Sequence, residues 1–227
     1  MKINKCLIII LARKGSIRLK DKNVKKLGAK KLIEHTIDYA KIFKNKCNII
    51  LSTDDRRIIK IAKKKNIICP WVRPAKLSTS KSTSIDAILH CLEWYINNFE
   101  RPSCVILLQP TSPFRSVVSL QKSLKTILNR NSYSIISVSP IKLLNKVTYS
   151  KNILANINNN LINLKKKKNY SYEYFINGNF YIATVKFLKK YKSFFHKNKT
   201  LAYITKSKKY SVDIDTIKDF NYAKTFC

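Results

Sequence analysis

The apolar stretch "CLIIIL" (6–11) stands near the start of the chain without a polar interruption, and similar runs recur at "CNIILST" (47–53), "CVILLQ" (104–109) and "YSIISVS" (133–139). Continuous runs of this length predict strands buried on both faces, the first over 6–12. Segments of helical period lie between them. In "KLIEHTIDYAKIF" (31–43), Leu32, Ile33, Thr36, Ile37, Ala40 and Phe43 fall on one face of a helix. Helices are also predicted over 55–65, 82–99 and 119–129, with a short strand "IIC" at 67–69. Strands separated by helices are what a sheet covered on both faces requires, so the fold class is α/β, doubly wound, with a mostly parallel sheet.

The rhythm changes after Pro140. Residues 141–176 are rich in Asn, Lys and Tyr, with β-type patches and no helical period, and predict an excursion from the main sheet. "GNFYIATVKFLKKYKSFF" (178–195) resumes strand and helix, "LAYITK" (201–206) is a strand, and "YSVDIDT" (210–216) leads into a last helix over 216–226. Neither an internal repeat nor a linker divides the chain, which predicts a single domain over 1–227.

With 227 residues, 45% of them hydrophobic, the chain has enough apolar surface for one well-filled core. The apolar runs fall short of the roughly 18 to 20 residues of a membrane helix, and the first is too short for a secretory signal. The expected compartment is the cytoplasm. The six cysteines (6, 47, 69, 91, 104 and 227) show no metal-binding spacing and mostly sit in apolar segments, so they are expected as buried, reduced thiols.

A net charge of +34 raises the possibility of a nucleic-acid partner. Only eight of the 46 basic residues are Arg, however, and the Lys-rich runs at 63–65, 165–168 and 206–209 lie far apart in the chain. Such a skew predicts solvated faces, with non-specific polyanion binding at low salt. Against a lysine-rich background, the Arg, Asp, Gln and Gly positions are the informative ones.

In an open parallel sheet the ligand sits beyond the carboxyl ends of the strands. The loop "LARKGSIRLKDKN" (11–23) follows the first strand and contains five basic residues and one acid, Asp21. Ser52-Thr53-Asp54 follows the second strand, and Gln109-Pro110-Thr111-Ser112-Pro113 follows the 104–109 strand. Glycine occurs only at 15, 28 and 178, which excludes a P-loop and a Rossmann glycine loop. Phosphate must then be held by the side chains of Arg13, Arg18, Lys20 and Lys22, and by loop amides near Gly15 and Ser16. Asp213 and Asp215 alternate with apolar Val212 and Ile214, which puts both carboxylates on one face of an extended segment. Paired carboxylates of this kind hold Mg²⁺ against substrate phosphates. Thr216 and Asp219 have capping-box spacing for the last helix, a role compatible with metal binding by the aspartates.

The set "LARKGSIRLKDKN", "IILSTDD", "VRPAKLS", "STSIDAILHCLE", "LLQPTSPFR", "NGNFYI" and "SVDIDTIKDF" resembles, in order and spacing, the motifs of the acylneuraminate cytidylyltransferases, the CMP-sialic acid synthetases. The resemblance spans nearly the whole chain and is weakest at 141–175. It implies a Rossmann-like nucleotidyltransferase fold, transfer of CMP from CTP to a nonulosonic acid with release of pyrophosphate, and dependence on Mg²⁺. Enzymes that activate the eight-carbon acid Kdo share the "S-x-R-L" flavour of the first loop but differ at "LLQPTSPFR".

By motif position the resemblance assigns the triphosphate to Arg13 and Lys22, and places Leu11, Ala12, Ser16 and Arg18 at the nucleotide. Asn23, Arg73 and Ser84 would meet the cytidine half. Gln109 would face the sugar acid near its anomeric hydroxyl, alongside Thr111, Ser112 and Tyr181, and Asp213 and Asp215 would hold Mg²⁺. The chain departs from the family in the first loop, where Ile17 replaces a common Lys, Arg18 a common Gly and Lys20 a common Pro. Phe175 stands where the family often has an Arg that meets the substrate carboxylate. The excursion at 141–175, with Tyr149, Tyr170, Tyr172 and Tyr174, is implied to form a homodimer interface that completes the sugar pocket. A polyanion-binding protein built on the same scaffold is the opposing class, and steep salt dependence would mark it.

Overall fold

The apolar runs become β-strands of one sheet, three of them inside it and the 47–53 run at one edge. The computed structural model describes residues 6–129, 133–140, 153–154, 174–196 and 198–227. In chain order the first elements are β1 (Cys6–Leu11), β2 (Lys26–Leu27), β3 (Lys30–Lys31), α1 (Leu32–Lys41), β4 (Cys47–Ser52) and α2 (Arg56–Lys64). Next come α3 (Ser84–Asn98), β5 (Cys104–Leu108), α4 (Val117–Leu128), β6 (Ser134–Pro140) and β7 (Ile153–Leu154). The chain closes with β8 (Tyr174–Thr184), α5 (Val185–Tyr191), β9 (Thr200–Ile204) and α6 (Ile217–Lys224).

The sheet order is β4-β1-β5-β8-β6-β9, with β7 alongside β8. β1 pairs in parallel with β4 and β5, and β6 pairs in parallel with β9. β8 runs antiparallel to β5, β6 and β7. Alternate residues of β1 enter different cores, as the pleat requires. Ile8 and Ile10 pack with Ile33 and Ile37 of α1, Ile58 of α2 and Leu120 of α4; Leu7 and Ile9 pack with Ile88 and Leu92 of α3 and Phe187 of α5. Helices therefore cover both faces of the sheet. A smaller cluster of Leu19, Leu27, Phe114, Val212, Ile214 and Phe220 fastens α6 beside the first loop.

The helix starts follow local chemistry. Asp55, Thr83, Ser116, Thr184 and Thr216 each accept a backbone N–H in the first turn of the helix they precede. Thr216 and Asp219 form the expected capping box.

Three sequence expectations change. The "IIC" strand reduces to a single parallel bridge, Ile50 to Ile68, because the chain turns to reach a second bridge between Thr53 and Val72. A β2–β3 hairpin, unforeseen in the sequence, turns at Gly28, whose φ is +61°. Residues 174–176, assigned to the excursion, belong to β8, and Tyr174 packs with Ile136, Val138 and Ala202 in a core cluster, so it is not a free interface tyrosine. Phe175 is also buried in β8. Tyr149, Tyr170 and Tyr172, and with them most of the proposed dimer excursion, lie outside the described residues. All six cysteines are free thiols, four of them buried as expected, but Cys69 is half-buried and Cys227 is exposed. No described helix is long and apolar enough to cross a membrane.

Candidate active site

A cleft of about 450 Å³ opens where the basic loop, the segment before α3 and the 213–215 segment meet at the carboxyl ends of β1 and β5. Leu11, Arg13, Ser16, Arg18, Lys22 and Asn23 line it from the first loop. Arg73, Ser84, Gln109, Thr111, Tyr181, Asp213 and Asp215 line it from the rest of the chain. Three residues of the sequence assignment do not line it. Ala12 is buried behind the wall and accepts a hydrogen bond from the Thr53 hydroxyl. Ser112 is fully buried and donates to the Asn177 carbonyl at 3.2 Å. Lys20 is exposed and does not line the cleft; buried Leu19 anchors that part of the loop instead.

The loop is shaped by hydrogen bonds within it and by the segment after β4. Asp54 Oδ1 accepts the Lys14 N–H at 2.7 Å, and the Asn23 amide donates to the Arg13 carbonyl at 3.1 Å. Asp21, at φ 55°, is drawn outward by Arg57, which also grips Asp55 at 2.7 Å. The one acid of the loop is thereby turned to an external cation, leaving Arg13, Arg18 and Lys22 on the cleft side.

Arg73 is 5% exposed, and its guanidinium donates to the hydroxyl and carbonyl of Ser52 with no carboxylate partner among the described residues. Burial lowers its pKa. Lys22 Nζ donates to the Ile214 carbonyl at 2.7 Å and to Asp215 Oδ1 at 3.1 Å, while Arg18 holds Asp215 Oδ2 at 3.0 Å. Val212 and Ile214 point into the core, as the alternation predicts, and both aspartates line the cleft. Asp213 Oδ1 is buried without a hydrogen-bond partner among the described residues. Burial pushes this carboxyl above the usual aspartate range, while a hydrogen bond from Thr111 pulls the other way.

A model of the cytidylyltransferase family matches residues 7–227. The chain is 34% identical over 222 residues to the CMP-N,N'-diacetyllegionaminic acid synthase of Legionella pneumophila subsp. pneumophila, covering 94% of this chain and 92% of that protein. It belongs to the cytidylyltransferase family. It is also 32% identical to the N-acylneuraminate cytidylyltransferase of Escherichia coli O18:K1:H7, covering 97% of this chain but 52% of that longer protein. The pseudaminic acid cytidylyltransferase of Campylobacter jejuni shares 26% identity, with 97% of this chain and 95% of that protein covered. Among solved structures, a CMP:2-keto-3-deoxy-manno-octonic acid synthetase complexed with CTP has the same fold, at TM-score 0.69, 14% identity and 98% coverage of both chains.

In this cytidylyltransferase a second hollow, of about 320 Å³, adjoins the cleft and shares Ser84, Gln109, Ile176 and Tyr181 with it. The rest of its lining is mostly apolar, with Ile85, Ile88, Ile136, Phe194 and Phe195 beside Lys192 and Ser193. β8 is irregular beside it, since the pairing with β6 shifts register between Ile136 and Val138. Gly178, at φ +73°, lies in that bulge, and a Cβ there would stand 2.5 Å from Ser112 Oγ. Arg115 and Gly178 stand inside "LLQPTSPFR" and "NGNFYI", and the motifs by themselves assign neither a role. An Arg closing a strand-end motif and a Gly inside an apolar strand were the available signals.

Proposed function

We propose that this cytidylyltransferase transfers CMP from CTP to the anomeric hydroxyl of a sialic-acid-like nonulosonic acid and releases pyrophosphate. The observation that carries this reading is the convergence of Arg13, Arg18, Lys22 and Arg73 with two carboxylates in one cleft that continues into an apolar hollow. The names of the relatives from Legionella, Escherichia and Campylobacter support the same substrate class.

The division of labour follows from position. Arg13, Arg18 and Lys22 meet the triphosphate and stabilise the charge that develops as pyrophosphate leaves, with Ser16 beside them. Arg73 and Ser84, at the start of α3, face the cytidine half. The sugar oxygen attacks the α-phosphorus, the bond to the bridging oxygen of the leaving diphosphate breaks, and the hydroxyl proton passes to solvent water. Gln109, Thr111 and Tyr181 line the end of the cleft where the acceptor acid sits, and the apolar hollow takes its acylamino groups.

Mg²⁺ fits the donor set. The orphaned Asp213 Oδ1 and the neighbouring Asp215 are hard oxygen donors. The described residues contain no group of three or more acidic, His or Cys side chains placed to hold a metal; a magnesium site that borrows phosphate and water ligands needs only one or two carboxylates. Once bound, the ion would neutralise phosphate charge and favour the sugar alkoxide. The same reading places the enzyme in the cytoplasm as a homodimer without a membrane or a specific nucleic-acid partner.

The test is pyrophosphate release with CTP and Mg²⁺ against a panel of nonulosonic acids and Kdo, with ATP, GTP and UTP as controls. Release with CTP and a nine-carbon acid is the expected result. Release with Kdo alone would move the chain to the eight-carbon class. Silence with every pair, together with tight DNA or RNA binding at 0.2 M salt, would make it a polyanion-binding protein.

A further inference from the structure

The ladder between β5 and β8 ends just below Gln109. Cys104–Leu107 pairs with Tyr181–Thr184, after which β5 turns away and β8 bulges through Gly178. Two carbonyls face this fork, that of Gln109, which also accepts the Ser112 N–H at 3.2 Å, and that of Asn179. Arg115 occupies the fork. Its Nε donates to the Asn179 carbonyl at 2.6 Å, Nη2 to the Gln109 carbonyl at 2.5 Å and Nη1 to the Thr36 hydroxyl at 3.1 Å. The guanidinium sits 5.6 Å from the centre of the Tyr39 ring.

This cation is buried and forms no ion pair among the described residues. Filling volume alone would favour an apolar side chain, because an unpaired buried charge is costly to desolvate. What a guanidinium supplies in its place is a rigid planar fork whose donors meet two carbonyls at once. The Gln109 side chain lines both the cleft and the hollow, and its Oε1 lies 3.5 Å from where a Cβ on Gly178 would stand.

We propose that Arg115 is a positioning residue for the sugar-acid half of the site: by clamping the Gln109 and Asn179 carbonyls it fixes the width of the fork and the direction of the Gln109 amide. The inference rests on the reading of Gln109 as a sugar-acid contact.

Arg115→Lys keeps the charge, but a single ammonium lacks the planar fork. The expected result is a folded variant by near-UV circular dichroism, a CTP dissociation constant by calorimetry within twofold of wild type, and a KM for the accepted sugar acid raised about tenfold. In a Gln109→Ala background the same substitution should change that KM by less than twofold, because the side chain it orients is gone. Arg115→Gln, with one planar amide, gives the same comparison if the lysine variant does not fold. Equal weakening toward CTP and sugar acid, or the same penalty in both backgrounds, overturns the proposal and leaves a purely structural arginine. If the wild-type enzyme accepts no nonulosonic acid at all, it is the functional reading that fails, and the proposal falls with it.

Discussion

Lys22 Nζ lies 3.1 Å from Asp215 Oδ1, a contact that joins the basic first loop to the carboxylate pair across 193 residues of sequence. Arg18 holds the other oxygen of the same carboxylate, so Asp215 is fully engaged by cations while Asp213 keeps a bare Oδ1. On the proposed function, a triphosphate entering the cleft would offer those cations a stronger anion and would free Asp215 for a metal. Nucleotide and metal should therefore bind with positive coupling, of the roughly 5- to 150-fold size common between linked sites. Mn²⁺ titration followed by electron paramagnetic resonance, with and without a non-hydrolysable CTP analogue, measures it. Identical Mn²⁺ affinity in both titrations would contradict the coupling.

Asp213→Ala and Asp215→Ala should each abolish Mg²⁺-dependent pyrophosphate release. Asp213→Asn should be no less stable than wild type, because it removes a charge that burial disfavours. Wild-type rates in both alanine variants would remove the metal assignment.

Arg73 separates affinity from stability. Its guanidinium is buried against Ser52 without a carboxylate, and burial depresses its pKa, so the folded protein bears a desolvation cost there. Arg73→Met should keep or raise the thermal midpoint while weakening CTP binding about 10- to 100-fold, the loss expected for a charge-assisted hydrogen bond. Calorimetric titration and thermal melts on one preparation decide both halves.

Gly178 has a left-handed φ of +73°, and a side chain there meets Ser112 Oγ at 2.5 Å. Gly178→Ala should destabilise the fold by on the order of 1–3 kcal/mol from the backbone alone, with a further steric contribution. An unchanged denaturation midpoint in guanidinium chloride would show that the bulge relaxes freely.

Asp55 caps α2 and is held by Arg57, and that hydrogen bond lowers its pKa below the usual aspartate value. A depressed folded pKa means that the stabilisation is present above the unfolded value, about 3.9, and disappears as pH falls through the folded one. Asp55→Asn should therefore flatten the acid limb of the stability profile below about pH 4. Denaturant midpoints measured from pH 2.5 to 6 provide the comparison.

The elements that sequence reading located best were those with strong local signals. β1 and β5 are continuous apolar runs, β4 is one but for Asn48 and its closing Ser52, and α2, α3 and α4 are announced by Asp, Thr or Ser just before the periodic segment. The paired aspartates were legible because two-residue alternation sets their face without reference to the rest of the fold. Lys20 misled for the opposite reason. Charge alone does not say which of four neighbouring cations faces inward, and the buried side chain of Leu19 decided it.

The chain by itself determined the strand and helix alternation, the absence of a glycine phosphate cradle and the common face of Asp213 and Asp215, because each depends on covalent order and backbone period within a few residues. Only the tertiary structure decided that β8 runs against its neighbours and that Ser112 turns inward under Gly178. The same holds for the engagement of Asp215 by Lys22 and Arg18, and for the place of Arg115 between the Gln109 and Asn179 carbonyls. These contacts join residues from 6 to 197 positions apart in the chain. Which buried polar group meets which partner is set by how the sheet and its loops close around them, and no local period in the sequence encodes that choice.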